Sequence, residues 1–420
     1  MLRENRLSKN WLRKKWLMIS AGLILAFTQG CARSAKNVET TAPSPPPVET
    51  AIDPQLLNDA ARFIAGLPGR PQGAYHELEA TAAWHDYAGA FDKTWTNADA
   101  QQFVPVRAFE ERELKPAGSG ASFLFYPFSG PDVLYATQFF PRSTLYIMAG
   151  LEPVGNLPLP GAYRSNDLAN ELRGLRTAAA SIFRRSFFIT NEMKVQYAGE
   201  DTDGLLPVIV MLLARSGYMF DGMRLGDITA GGVFAAQAVD PGKPIVGKHS
   251  TVELVFHSGS PEAPQLNGPR KTLYYVSTDL GGRYDPSKGF GRFVASKGPH
   301  DTMIKSASYL LHATPFASLR QHILQSSSLI LQDDTGIPYR TLHNDPWHLQ
   351  LLGHYSAPST PFKNKFQKDL ATAFEEPGAT HELGFHIGYG YGQRTSSLIL
   401  ATRKGDALNA ASPPPTQNVN

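Results

Sequence analysis

Two clusters of polar residues in this chain have the types and spacing to do chemistry. The first is Ser129, Gly130 and Asp132, with Glu152 about twenty residues on. Each follows a short apolar run, Phe123–Tyr126 and then 144–148, so both places are expected strand exits, where open parallel sheets collect ligands. A Gly-bearing turn followed by an acid after the next strand is how a nucleotide fold takes a phosphate and a ribose hydroxyl. There is no Gly-x-Gly-x-x-Gly, however, and Pro131 lacks an N–H, so Ser129 and Asp132 also read as caps of the following helix. Ser129 sits where a serine nucleophile would stand, although Gly-x-Ser-x-Gly occurs nowhere and none of the twelve histidines is marked as its base.

The second cluster is Asp333-Asp334-Thr335-Gly336, followed by His343, Asp345, His348 and His354. Carboxylates and imidazoles converging on one point would serve metal-assisted hydrolysis. Against this, adjacent carboxylates on a strand point to opposite faces, and Asp-Asp-Thr-Gly is ordinary turn composition. Asp334-Thr335-Gly336 is also the aspartic-protease triplet, but that chemistry needs two aspartates sharing a proton, and no second such triplet is present. Two further patterns are set aside. The segment 242–249 has phosphate-loop spacing with His249 in place of Ser or Thr, and His381-Glu382 with His386 is one residue too long for a helical zinc pair. No metal and no cofactor is assigned.

The candidate site residues are therefore Ser129, Asp132, Glu152, Asp333, Asp334 and His343. The elements that must position them form a body of mixed pattern. Asp53-Pro54 caps a helix with Leu57, Ala61, Ile64 and Leu67 on one face. Trp84, Tyr87, Phe91 and Trp95 recur at helical spacing and read as core, although such a stripe could also stack sugars. A strand, a helix over 132–140 and a second strand suggest a parallel pair. Helices are expected at 168–188 and 205–218, the latter apolar all round. Strands follow at 252–256 and 272–276, then helices at 302–312, 317–326 and 367–374. Apolar runs lie at 329–331, 348–352, 383–387 and 397–401, the last two read as an antiparallel pair joined by Gly388-Tyr389-Gly390-Tyr391-Gly392. This predicts an α/β or α+β fold: a mixed β-sheet flanked by helices, with room for two lobes and a disordered N-terminal tether.

The N-terminus carries an address. Arg3, Arg6, Lys9, Arg13, Lys14 and Lys15 precede an apolar stretch, 16–27, too short for the about 20 residues that a membrane span needs. Thr28-Gln29-Gly30-Cys31 then resembles the lipobox of bacterial lipoproteins, with Thr28 standing where an aliphatic residue is usual. The resemblance implies cleavage before Cys31, lipidation of its thiol and a membrane anchor facing the periplasm. Ala32, in place of a retaining Asp, favours the outer membrane in a Gram-negative cell.

The domain reading is 1–30 signal peptide, 31–52 Pro-rich tether, 53–240 helical and α/β lobe, 241–405 α+β lobe and 406–420 disordered tail. Removing 1–30 takes away six of the 40 basic residues and one of the 37 acidic ones, leaving 34 against 36. A body so close to neutral lacks the basic footprint of a nucleic-acid binder. Cys31 is the only cysteine, so stability must come from burial and not from disulfides. Two functions fit: an envelope lipoprotein binding an envelope component or partner protein, and an envelope hydrolase acting on a glycan, lipid or peptide. A hydrolase should gather the polar residues around one concave pocket, whereas a binding module should scatter them.

Overall fold

The computed structural model describes residues 52–118, 123–163, 167–187, 204–237, 249–259 and 268–404, apart from 345, 356, 359, 379, 394 and 395. The signal, all but the last residue of the tether, the tail, Cys31, Asp345 and most of the 242–249 loop lie outside these residues.

Among the described residues, eleven strands form one mixed sheet. In chain order they are β1 (Phe123–Tyr126), β2 (Leu145–Gly150), β3 (Tyr218–Ile228), β4 (Phe234–Ala236), β5 (Thr251–Ser258), β6 (Lys271–Ser277), β7 (His300–Ile304), β8 (Ser327–Gln332), β9 (Trp347–Gly353), β10 (Thr380–His381) and β11 (Ser397–Arg403). Across the sheet they run β10-β9-β11-β8-β7-β1-β2-β6-β5-β3-β4. The five central strands, β8-β7-β1-β2-β6, are parallel. Antiparallel pairs extend both flanks: β5, β3 and β4 beyond β6, and β11 and β9 beyond β8. Counted among themselves, the parallel strands lie in the order 3-2-1-4-5, the doubly wound arrangement, with its switch point between β1 and β7. The segments 53–240 and 241–405 interleave in this sheet, since β1 pairs with β7 and β2 with β6.

Alternation along the strands sends side chains to both faces, and both are buried. Leu124, Tyr126, Tyr146, Met148, Leu273 and Tyr275 pack under the helices Pro54–Ile64, Ala82–Ala98, Val133–Phe139, Leu168–Arg185 and Leu206–Arg215. Phe123, Phe125, Ile147, Ala149, Ile304 and Ile330 pack under Gly289–Ala295, Ala317–Ser326 and Lys368–Glu375 on the other side. Continuous apolar runs such as Phe123–Tyr126 are what a doubly covered parallel strand needs.

The expected N-cap is present: the Asp53 carboxylate accepts from the Gln55 and Leu56 N–H groups. The helix Leu206–Arg215 buries every residue through Ala214. Trp84, Tyr87 and Phe91 are core.

Two expectations fail. The helix at 302–312 does not form, because His300–Ile304 is a strand paired on both edges, followed by tight turns. Five residues, His300-Asp301-Thr302-Met303-Ile304, carry no period that separates a buried strand from a buried helix, and here sheet pairing on both sides decides. The segment 383–387 is not the partner of β11, which pairs with β8 and β9. Leu383, Phe385 and Ile387 instead bury themselves against the sheet, and the glycine-tyrosine segment turns as a short helix, Gly388–Gln393.

Candidate functional site

Four parallel strand exits, those of β1, β2, β6 and β7, meet at a crevice with a cavity volume of about 180 Å³. Phe128, Ser129 and Gly130 enter from β1, Leu151 and Glu152 from β2, Asp279 from beyond β6, and Lys305, Ser306 and Ser308 from β7. Phe128 and Phe316 meet edge to face at 5.6 Å on this crevice, and Phe187 meets Tyr389 at 4.7 Å.

The floor is a buried charge cluster. Lys305 Nζ lies 2.8 Å from Asp132 Oδ2, with both side chains 2% exposed. The Tyr126 hydroxyl donates to the same Asp132 oxygen at 2.7 Å, and Asp132 Oδ1 accepts from the Tyr135 N–H as the cap of the helix Val133–Phe139. Lys305 also donates to the Ser186 carbonyl and lies 4.3 Å over the Tyr135 ring. Burial pushes the Asp132 carboxyl above its ordinary value, opposed by Lys305 and Tyr126, and pushes the Tyr126 phenol well up.

The β7 exit is held from below. Asp333 Oδ2 accepts from the Ser306 N–H at 2.8 Å, Thr335 Oγ1 accepts from the Ala307 N–H at 2.7 Å, and Tyr309 donates to Asp334. The Tyr389 hydroxyl donates to the Ser306 carbonyl at 2.9 Å. Strain collects here. Of the six described non-glycine residues with positive φ, Phe128, Ser306 and Ser308 line the crevice, Tyr309 follows them, and Ser186 receives the Lys305 bond. Each such conformation costs about 1–3 kcal/mol and persists where the surroundings fix it, commonly at functional sites.

Ser129, Asp132 and Glu152 are thus brought to one place, with Asp333 and Asp334 beneath the loop that closes it. His343 is not. It is exposed in a separate groove with Tyr339, Arg340 and Lys368, its Nδ1 3.4 Å from the Tyr339 hydroxyl. No three His, Cys, Asp or Glu side chains converge to hold a metal among the described residues. Ser129 is not poised as a nucleophile: its Oγ donates to the Gly130 and Ala149 carbonyls, and no histidine lines the crevice among the described residues. A dinucleotide does not fit. The Ser129 N–H is spent on the Ala149 carbonyl, the Asp132 N–H on the Ser129 carbonyl, and Pro131 has none, so this turn leaves Gly130 alone to offer an N–H, too few to cradle a diphosphate. Asp132, Glu152 and Asp279 also oppose an anion.

No protein-family model, curated protein or solved structure matches this chain.

Gly150 permits the close meeting of these parts. A Cβ there would lie 2.7 Å from Glu152 Oε2, 2.9 Å from the Tyr275 hydroxyl and 3.4 Å from the Gly130 nitrogen. Lys305, Tyr126, Asp279 and the Ser306–Tyr309 loop were absent from the candidate set. Lys305 had the same signature as Asp132 and Glu152, a polar residue just after an apolar run, and only the expected helix across it concealed the resemblance.

Proposed function

We propose that this chain is an envelope lipoprotein, moored through Cys31, whose body binds a small polyhydroxylated ring compound in the crevice. The observation that carries the ligand class is the pairing of carboxylates with aromatic rings at the strand exits: Glu152 and Asp279 from β2 and β6, with Phe128, Phe316, Phe187 and Tyr389 around them. Carboxylates accept from vicinal hydroxyls, and ring faces stack on a flat or chair-shaped partner. A nucleoside and a single sugar unit of envelope glycan both present such a ring. The two share the hydroxylated ring and differ in the base.

Two experiments test this. Detergent-solubilised full chain, titrated calorimetrically with a panel of uncharged nucleosides and N-acetylated mono- and disaccharides, should bind one class at one site. Glu152→Gln should weaken that binding about 10- to 100-fold, the worth of a hydrogen bond to a charged group. Binding by neither class, or equal binding by the variant, defeats the ligand reading. For the address, Cys31→Ala should abolish lipid labelling and move the protein from the membrane to the soluble fraction; unaltered fractionation defeats the anchor and leaves the crevice untouched.

A further inference from the structure

The groove that holds His343 has a cavity volume of about 840 Å³, several times that of the crevice. One wall is the short helix Tyr339–His343, another is the helix Lys368–Glu375, and the segment 364–367 leads into the second. Gln367 bolts these parts together. Its side-chain oxygen accepts from the Tyr339 N–H at 2.8 Å, its side-chain nitrogen donates to the Asp334 carbonyl at 2.9 Å, and its backbone N–H donates to the Tyr355 hydroxyl at 3.0 Å. The walls are fixed in advance, so a ligand need not order them.

The charges of the groove are sorted. Arg340, Lys365 and Lys368 line it, and among the described residues none of these three side chains makes an ion pair or a hydrogen bond. Lys365 is half-buried there. His312, another lining residue, registers the resulting field: its pKa is pushed down to about 4 by burial first and then by the positive charges of Lys365, Arg340 and Arg320. Only a hydrogen bond with the Gly336 backbone acts the other way, and no carboxylate does. The lining carboxylates Asp369 and Glu376 act instead on Tyr339, whose pKa they raise in addition to burial. Like charges gathered in a partly enclosed place repel one another, and an arriving anion relieves that repulsion while gaining charge-assisted hydrogen bonds.

We propose that this groove binds a small phosphomonoester, its phosphate at the His312 end beside Arg340 and Lys365, its hydroxyl- or amine-bearing remainder toward Asp369 and Glu376. A phosphate dianion balances two of the three free cations, which a single carboxylate does not, and the planar guanidinium of Arg340 is shaped to take two phosphate oxygens at once. Asp369 and Glu376 accept from hydroxyl or ammonium groups and repel a second anion, which turns away polyanions such as a nucleic-acid strand. The groove is thus the chemical opposite of the crevice, where Asp132, Glu152 and Asp279 face the ligand.

Calorimetric titration of the full chain with glycerol phosphate and with a hexose phosphate should show one saturable site for each, weakening as salt is added. Inorganic phosphate should bind more weakly than either ester. Arg340→Gln and Lys365→Met should each weaken the site about tenfold or more, whereas Lys363→Met, which removes an exposed lysine outside the groove, should keep the wild-type affinity. In the unaltered chain either ester should also raise the melting temperature, a readout that does not depend on how the variants fold. No saturable binding and no thermal shift would overturn the proposal. So would inorganic phosphate binding as tightly as both esters, or a loss in Lys363→Met equal to that in Arg340→Gln.

Discussion

Lys305→Met is expected to destabilise the body by about 3–5 kcal/mol, the cost of stranding one partner of a buried ion pair. Asp132 would keep only the Tyr126 hydroxyl and the Tyr135 N–H, at a place where its side chain is 2% exposed. Burial already raises its carboxyl pKa with the lysine in place, so loss of the ammonium must raise it further. Methionine approximates the lysine stem and keeps contact with the Tyr135 ring, so the change isolates charge from packing. The double change Lys305→Met with Asp132→Leu should recover more than half of the loss, because an apolar pair of similar volume removes both desolvation costs. Urea melts of the wild type, both single variants and the double variant give the coupling directly. A single-variant loss under about 1 kcal/mol would mean that the pair is solvated and that the crevice floor does not rest on it.

The fold was legible wherever a pattern was long enough to carry a period, and the site wherever a polar residue followed a recognised strand. Helices at 54–64, 82–98, 168–185 and 206–215 each span ten or more residues, and the β1-helix-β2 unit is bounded by turn residues that leave one reading. The four-residue strand Phe123–Tyr126 and its exit at Ser129 were therefore placed correctly, and Asp132 and Glu152 with them. β7 was not: in Thr302-Met303-Ile304 strand and helix look alike, and the pairing that decides between them comes from β1 and β8, distant in sequence. Losing β7 hid Lys305 and detached Asp333 from the loop it supports, so Asp333 and Asp334 looked like a free turn beside His343. Their true neighbours, Ser306 and Tyr309, precede them by some 25 residues, a relation that only the parallel β7-β8 crossover creates. The strand order that puts β6, β2, β1 and β7 side by side likewise depends on non-local pairing and leaves no local trace.

The contribution of Asp334 to stability is expected to fall as pH rises from about 4 to about 7. Burial first, and then the neighbouring Asp333 carboxylate, push its pKa from 3.8 up to about 7, against the Tyr309 hydroxyl, which donates to it. The native chain thus holds a proton that the unfolded chain releases above pH 4. Stability from this group is complete below pH 4, is lost through the window up to about 7 and is level beyond it. Each pH unit crossed is worth about 1.4 kcal/mol, so the loss is at most about 4 kcal/mol, an upper bound because Asp334 keeps some solvent contact. Asp132 and Asp333 are pushed up by burial as well and add slope of the same sign, whereas His300 and His312, which burial pushes down to about 4, add slope of the opposite sign, so the Asp334 part shows as the gap between wild type and variant. Asp334→Asn keeps an oxygen for Tyr309 without the charge. It should match the wild type near pH 4 and exceed it at pH 8, the gap in urea melts opening steadily across that range. A variant profile as steep as the wild type would assign the proton elsewhere. Since Asp333 and Asp334 hold the Ser306–Tyr309 loop, the same titration should loosen the β7 wall of the crevice, and ligand affinity should decline over the same window in the wild type but not in Asp334→Asn.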